Sequence, residues 1–330
     1  MNFPLNVYLP ALAGALLASA GSLPLWRNLS LRVGLVDDPG HRKIHHTPIP
    51  LAGGFAVFTG LVLPLLIGVA IFSGDFPIAD FREKIISHGL KPGNRTWEMA
   101  AIVLGGIGML AIGCLDDRFE LKPLTKFGGQ LLMALLVASA HARITLFVPS
   151  VAFSYFITVL WILTVTNAFN FMDNMNGLCA GLGAIAAAFF ALVAGGDGQY
   201  LVAAMGLLTC GALLGFLPYN FPRATAFLGD AGSHLVGYLL AVMAILPHFY
   251  SSQHPHHLAV LAPLLILAVP LGDLAWVVLL RWRAGKPFYV GDNNHLSHRL
   301  VRGGRTQQTA VVLIWLAAAI CGALGLLLAS

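Results

Sequence analysis

The stretch Ile112-Gly113-Cys114-Leu115-Asp116-Asp117-Arg118-Phe119 places two adjacent carboxylates where an apolar run over 97–115 stops. A run of that size matches the roughly 20 residues a helix needs to cross the hydrocarbon core, so it reads as a membrane span with the acids at its end. Neighbouring carboxylates repel one another and need a cation, a metal or water beside them. The pair is therefore either a solvated helix end or part of a site.

The same pattern recurs along the chain. With 58% hydrophobic and 10% charged residues in 330, the protein holds more apolar surface than a soluble globule of its size can bury. Further apolar runs cover 4–26, 51–72, 127–147, 151–169, 178–195, 199–217, 232–250, 258–280 and 309–329. The expected fold is an all-α polytopic membrane protein of about ten transmembrane helices. The first run lacks a basic leader and a clear cleavage site, and Arg27 and Arg32 follow it, so it reads as a retained span rather than a signal peptide. Cys114, Cys179, Cys210 and Cys321 stand singly, which argues against disulfides and structural zinc. The net charge of +5 is divided among loops rather than gathered in one module, so no nucleic-acid partner is expected. No internal repeat or second domain is visible, and 1–330 reads as a single integral membrane catalytic domain.

If ten spans alternate, loops at about 27–50, 116–126, 170–177, 218–231 and 281–308 share one side and carry 14 Lys and Arg, against five on the other. The positive-inside rule makes the richer side cytoplasmic. Asp116-Asp117 then faces the cytoplasm, as do most of the unusual polar clusters.

In the first of these loops, Arg42 and Lys43 follow Asp37-Asp38-Pro39-Gly40 and precede Gly53-Gly54. They either donate to phosphates or serve as ordinary topology signals. Pro123 announces a new helix with Lys126 in its first turn, where an ammonium reaches toward anions or simply snorkels. Asn167, Asn170, Asp173 and Asn176 recur every three residues, so a helical turn lines them along one side. Their carboxamides suit reading a nucleobase or giving oxygen to a metal. Asp230, between Gly229 and Gly232, suits a hard cation such as Mg²⁺ that also takes substrate phosphate oxygens; Asp230 and Ser233 are alternatively helix caps. Asp273 lies inside an apolar run and needs a partner. His295 and His298 have ligand spacing but no third ligand nearby, which favours contact with phosphate or proton handling over zinc. His254, His256 and His257 read as solvated, and Gly177-xxx-Gly181 and Gly211-xxx-Gly215 as close helix contacts.

Taken together, Asp116-Asp117, the 167–178 stretch, Gly229-Asp230-Ala231-Gly232-Ser233 and His295-xx-His298-Arg299-Leu300 resemble the polyprenyl-phosphate N-acetylhexosamine-1-phosphate transferase family. This is glycosyltransferase family 4, and the 36–54 loop is most similar to its WecA/TagO-like branch, related to MraY. The resemblance covers almost the whole chain. It implies an enzyme of the EC 2.7.8 class with its active site in a cytoplasmic-face cleft of the inner (plasma) membrane. UDP-N-acetylhexosamine, with UDP-GlcNAc the default, would give its sugar 1-phosphate to a polyprenyl phosphate such as undecaprenyl phosphate, releasing UMP in a first membrane step of cell-envelope polysaccharide synthesis. The implied cofactor is Mg²⁺, for which Mn²⁺ can substitute, and a homodimer is compatible with the resemblance.

By the same resemblance Asn170 and Asp230 are metal ligands, and Asp116 and Asp117 serve the acceptor phosphate or the metal shell. Lys126, His295, His298 and Arg299 hold the diphosphate, while Asp173 and Asn176 contact the nucleotide side; Asn167, Arg42 and Lys43 complete the expected substrate-binding set. Two departures stand out: Asp173-Asn174-Met175-Asn176-Gly177 replaces the common Asp-Gly-x-Asp-Gly, and His295-Leu296-Ser297-His298 replaces His-x-His-His. The rival reading, a secondary transporter for an anionic metabolite, predicts polar groups near the midplane, whereas only Asp273 lies deep.

Overall fold

A computed structural model describes residues 4–38, 47–73, 94–146, 148–247, 257–287 and 294–329. The chain forms a bundle of α1 (Leu5–Val33), α2 (Gly53–Ser73), α3 (Asn94–Phe119), α4 (Pro123–Ser139), α5 (Val151–Met172), α6 (Leu178–Gly196), α7 (Tyr200–Asn220), α8 (Gly229–Met243), α9 (Ala262–Ile266), α10 (Ala268–Arg283), α11 (Leu296–Arg302) and α12 (Gln307–Ala329). Among the described residues seven helices are long and apolar enough to cross a bilayer, and an eighth span arises if the bent pair Leu258–Ile266 and Ala268–Arg283 is counted as one. The protein is an all-α, multi-pass membrane protein.

Two of the ten expected runs form shorter helices. The 127–147 run stops at Ser139, and the 232–250 run lies partly in α8 and ends outside the described residues. At 15 residues and about 1.5 Å each, α8 falls short of a hydrocarbon core about 30 Å thick. The bend of 74° before α10 also has a local cause. Pro270 has no N–H to give to a continuous helix, and its place in the first turn of α10 leaves no hydrogen bond missing.

The middle of the bundle is α8. Every residue in it except Asp230 is buried, which is the signature of a helix enclosed on all sides. Its neighbours approach through glycines. A Cβ on Gly113 of α3 would lie 2.2 Å from the Asp230 carbonyl oxygen, and one on Gly54 of α2 would lie 2.5 Å from the Gly232 nitrogen. The start of α2 is tied to the same place, since the Gly53 and Gly54 amides donate to the Phe227 and Leu228 carbonyls.

Gly211 and Gly215 of α7 face the Leu12 and Leu16 carbonyls of α1 closely, as their spacing predicts. The other glycine pair behaves differently. Gly177 sits outside α6 with φ 77° and faces Phe221, whereas Gly181 admits the Trp315 indole of α12, so only one of this pair serves a close helix contact. A two-residue antiparallel pairing of β1 (Val36–Asp37) with β2 (Ile49–Pro50) is the one departure from helix among the named elements.

Candidate active site

Four helix ends meet beside the first turn of α8. The acid pair lies in the last turn of α3, because that helix continues to Phe119 rather than stopping at Leu115. Acids there oppose the helix dipole, so their partners have to come from other elements. Arg118, between the pair and the helix end, donates to the Gly34 carbonyl at 2.8 Å and holds the end of α1.

Asp117 meets α8 head on. Its Oδ1 accepts from the Asp230 amide at 2.8 Å and its Oδ2 from the Ala231 amide at 3.0 Å, so a carboxylate from α3 caps α8. That replaces the capping role expected of Asp230 or Ser233. Gly229, with φ 73°, makes room: a Cβ there would stand 2.7 Å from Asp117 Oδ2. The Gly229 backbone N–H also faces Asp173.

Freed from capping, Asp230 turns toward α4 and α5. Lys126 Nζ lies 2.8 Å from Asp230 Oδ2, 2.7 Å from Asp116 Oδ2 and 3.2 Å from Asn170 Oδ1. Asn170 Nδ2 in turn donates to Asp230 Oδ1 at 2.7 Å and to Ser233 Oγ at 3.0 Å. Asp116 Oδ1 accepts from the Leu121 amide at 2.8 Å, which fixes the link between α3 and α4. Pro123 occupies the start of α4 as expected and puts Lys126 in the first turn, so the ammonium can reach three oxygens from three other helices.

The α5 end supplies the rest. Asp173 follows the last helical residue, and burial, then the charges of Asp230 and Asp117, push its carboxyl well above the usual range against the opposing pull of the Gly229 amide. Asn176 lies half-buried in the turn that follows. Asn167 points elsewhere, one turn deeper, where its Nδ2 donates to Gln130 Oε1 and to the Leu163 carbonyl, both at 2.8 Å. Asn220, not singled out by sequence, accepts from the Gly177 amide at 2.6 Å and donates to the Ala226 carbonyl at 3.0 Å, shaping the turn from behind. Its signal was a lone amide at the end of an apolar run.

A second cluster flanks the first. His295 Nδ1 lies 2.6 Å from Asp273 Oδ2, the ring stands edge-on to Phe171 with centroids 5.6 Å apart, and the His298 ring centroid is 6.2 Å away. Asp273 thus has the partner its burial demands. Ser297 donates to Asn174 Oδ1 at 2.7 Å, so the two departures from the family motifs touch each other. The Arg281 guanidinium lies over the Phe171 ring at 5.1 Å, and Arg299 lies over Trp276 at 4.9 Å, directed toward α10. Arg42, Lys43, His254 and His256 lie outside the described residues, as does the His257 side chain.

The donor set around Lys126 is all hard oxygen: two carboxylates and an amide. Among the described residues no three His, Cys, Asp or Glu side chains form a metal cage. The set fits Mg²⁺, which is held by one or two carboxylates with substrate phosphates supplying further oxygens. Asp116 and Asp230 share the Lys126 ammonium, and Asp117 and Asp173 add their charge from beside Asp230, so the fully ionised cluster is short of positive charge.

A family model described as glycosyl transferase family 4 matches residues 99–248, a stretch containing every member of the first cluster. The chain is 31% identical over 301 residues to the probable undecaprenyl-phosphate N-acetylglucosaminyl 1-phosphate transferase of Bacillus subtilis (strain 168), covering 89% of this chain and 77% of that protein. It is 34% identical over 316 residues to the decaprenyl-phosphate N-acetylglucosaminephosphotransferase of Mycobacterium tuberculosis (strain ATCC 25618 / H37Rv), with 88% and 74% covered. To the undecaprenyl-phosphate alpha-N-acetylglucosaminyl 1-phosphate transferase of Escherichia coli (strain K12) it is 30% identical over 318 residues, with 91% and 78% covered. Likeness of this extent, carried through the stretch that builds the Lys126 cluster, means that the chain belongs to glycosyl transferase family 4.

Proposed function

We propose that this protein transfers GlcNAc-1-phosphate from UDP-GlcNAc to a membrane polyprenyl phosphate, undecaprenyl phosphate by preference, and releases UMP. The observation that carries the reading is the convergence of Asp116, Asn170 and Asp230 on Lys126. The printed names of the relatives point to the same reaction. A ten-span layout, with α4 and α8 as short crossings and the bent pair as one span, would set this cluster in a cleft at the cytoplasmic face of the plasma membrane, where nucleotide sugars are made. The loops at about 27–50, 116–126, 170–177, 218–231 and 281–308 would frame it within one catalytic domain.

Transfer joins two anions, so catalysis rests on positioning and charge neutralisation. An oxygen of the acceptor phosphate attacks the sugar-bound phosphorus, the bond to the UMP oxygen breaks, and polyprenyl diphosphate-GlcNAc remains in the membrane. Mg²⁺, held by Asp230 and Asn170 with Asp116 beside them, would neutralise the diphosphate. Lys126 is already in reach of that position and offsets phosphate charge once its carboxylate partners turn to the metal. Asp117 keeps the α8 terminus aimed at the reacting groups, Asp173 and Asn176 face the nucleotide, and His295 and His298 approach the diphosphate from the second cluster.

The test is UMP release by purified protein offered a panel of UDP-sugars, with and without undecaprenyl phosphate and Mg²⁺. Release with UDP-GlcNAc only when both lipid and metal are present is expected. Transport of an anion without UMP release would overturn the reading.

A further inference from the structure

We propose that Asp273 is a positioning residue that acts through His295, fixing which ring nitrogen is offered to the donor diphosphate. The inference rests on the transferase reading above. Asp273 lies inside apolar α10 with its side chain wholly enclosed, a costly place for a carboxylate unless both oxygens are engaged. Both are. Oδ2 takes the His295 Nδ1 hydrogen bond at 2.6 Å, and Oδ1 takes the Leu296 backbone amide, also at 2.6 Å.

One carboxylate therefore grips a histidine by its ring and by the peptide that follows it, leaving little freedom of rotation. Phe171 meets the ring edge-on and blocks another direction. Phe171 directly follows Asn170 in sequence, so the imidazole is carried to the border of the Lys126 cluster. With Nδ1–H committed to Asp273, Nε2 is the nitrogen left to face the diphosphate, and it meets a phosphate oxygen as an N–H donor of the doubly protonated ring, whose charge Asp273 balances. A carboxylate that orients a histidine and stabilises its imidazolium is a recurrent device for directing the far nitrogen at a reacting group. The helix that follows the histidine is anchored again by Ser297 on Asn174, so α11 has a latch that does not depend on Asp273.

A purely structural latch predicts something different, which a double-mutant cycle separates. Transfer kinetics and detergent melting temperatures are measured for wild type, Asp273→Asn, His295→Ala and the double variant, using UDP-GlcNAc, undecaprenyl phosphate and Mg²⁺. Each single variant is expected to lose about 10²- to 10⁴-fold in kcat with a much smaller change in KM, the range a positioned proton-handling group supplies. The double variant should be no slower than His295→Ala, because a residue acting through another has nothing to add once that other is gone.

Full kcat in a folded Asp273→Asn protein overturns the proposal, and so do losses that multiply in the double variant. If Asp273→Asn does not fold, ¹⁵N-histidine NMR of the wild-type protein decides, with His295→Ala assigning the signal: a proton on Nδ1 supports the proposal and a bare Nδ1 overturns it. A wild-type protein that releases no UMP removes the transferase reading itself, an outcome distinct from an active wild type with an indifferent Asp273.

Discussion

Asp117 and Asp230 are joined through the backbone rather than through their side chains: the Asp230 amide donates to Asp117 Oδ1 at 2.8 Å across 113 residues of chain. One acid of the N-terminal pair thereby orients the helix whose first turn presents the other acid. Asp117→Asn keeps one carbonyl acceptor, so the fold should persist with a stability loss of about 1–2 kcal/mol, the usual cost of a weakened cap. Transfer should fall below detection. Circular dichroism melts in detergent, run beside UMP release, check both halves.

Mg²⁺ should stabilise the protein as well as activate it. At 100 times its dissociation constant a ligand bound only by the folded state adds about 2.7 kcal/mol. Wild type should therefore melt at a higher temperature with Mg²⁺ than with a chelator, while Asp230→Asn should show little difference between the two. An equal metal-dependent shift in both proteins would place the ion elsewhere.

Asp173 carries a cost that grows with pH. Its folded carboxyl lies well above its ordinary range, chiefly through burial, so the native state holds a proton that the unfolded chain has already given up. Stability then falls as pH rises from the ordinary carboxylate range toward the folded value. Asp173→Asn removes that loss, so it should raise the melting temperature at neutral pH, with the gain fading toward pH about 4, where the unfolded carboxyl is also protonated. Nucleotide-dependent activity should be lost in the same variant, a trade of function for stability common at sites crowded with like charge. A melting temperature that drops at neutral pH would contradict the assignment.

Gly113 is the packing counterpart of this chemistry. A methyl there would stand 2.2 Å from the Asp230 carbonyl oxygen and 2.4 Å from the Ala231 nitrogen, and backbone atoms cannot swing aside as a side chain could. Gly113→Ala should destabilise by about 1–3 kcal/mol, the usual cost of overpacking, and lower transfer by pushing Asp230 away from Lys126. Gly128→Ala, inside α4 with nothing within 4 Å, is the control: it should leave kcat unchanged and hold or slightly raise the melting temperature, as Ala does for Gly in a helix.

Much of the site was legible because its residues break an apolar background. Asp116, Lys126, Asn170 and Asp230 each interrupt or terminate a hydrophobic run, and the structure joins them. The pairings themselves were hidden, since contacts such as Asp117 with α8 and Asp273 with His295 connect residues far apart in sequence and leave no local pattern. The three-residue spacing of Asn167, Asn170, Asp173 and Asn176 suggested one polar face. Asn167 instead serves Gln130, because the helix ends at Met172 and only its last turn reaches the cluster. The pairing of Val36–Asp37 with Ile49–Pro50 is too short to show alternation. The length of α8 was hidden for another reason: hydrophobicity records burial, and a helix wrapped in protein is as apolar as one wrapped in lipid.

That enclosure bears on how the membrane acts on the enzyme. Since every residue of α8 but Asp230 is buried in protein, acyl chains have no direct purchase on the segment that carries this acid. Changes in bilayer thickness or lateral pressure reach it only through the surrounding helices, whose glycine contacts leave little slack. Asp230 thus feels the bilayer only as strain passed on by the helices packed around it.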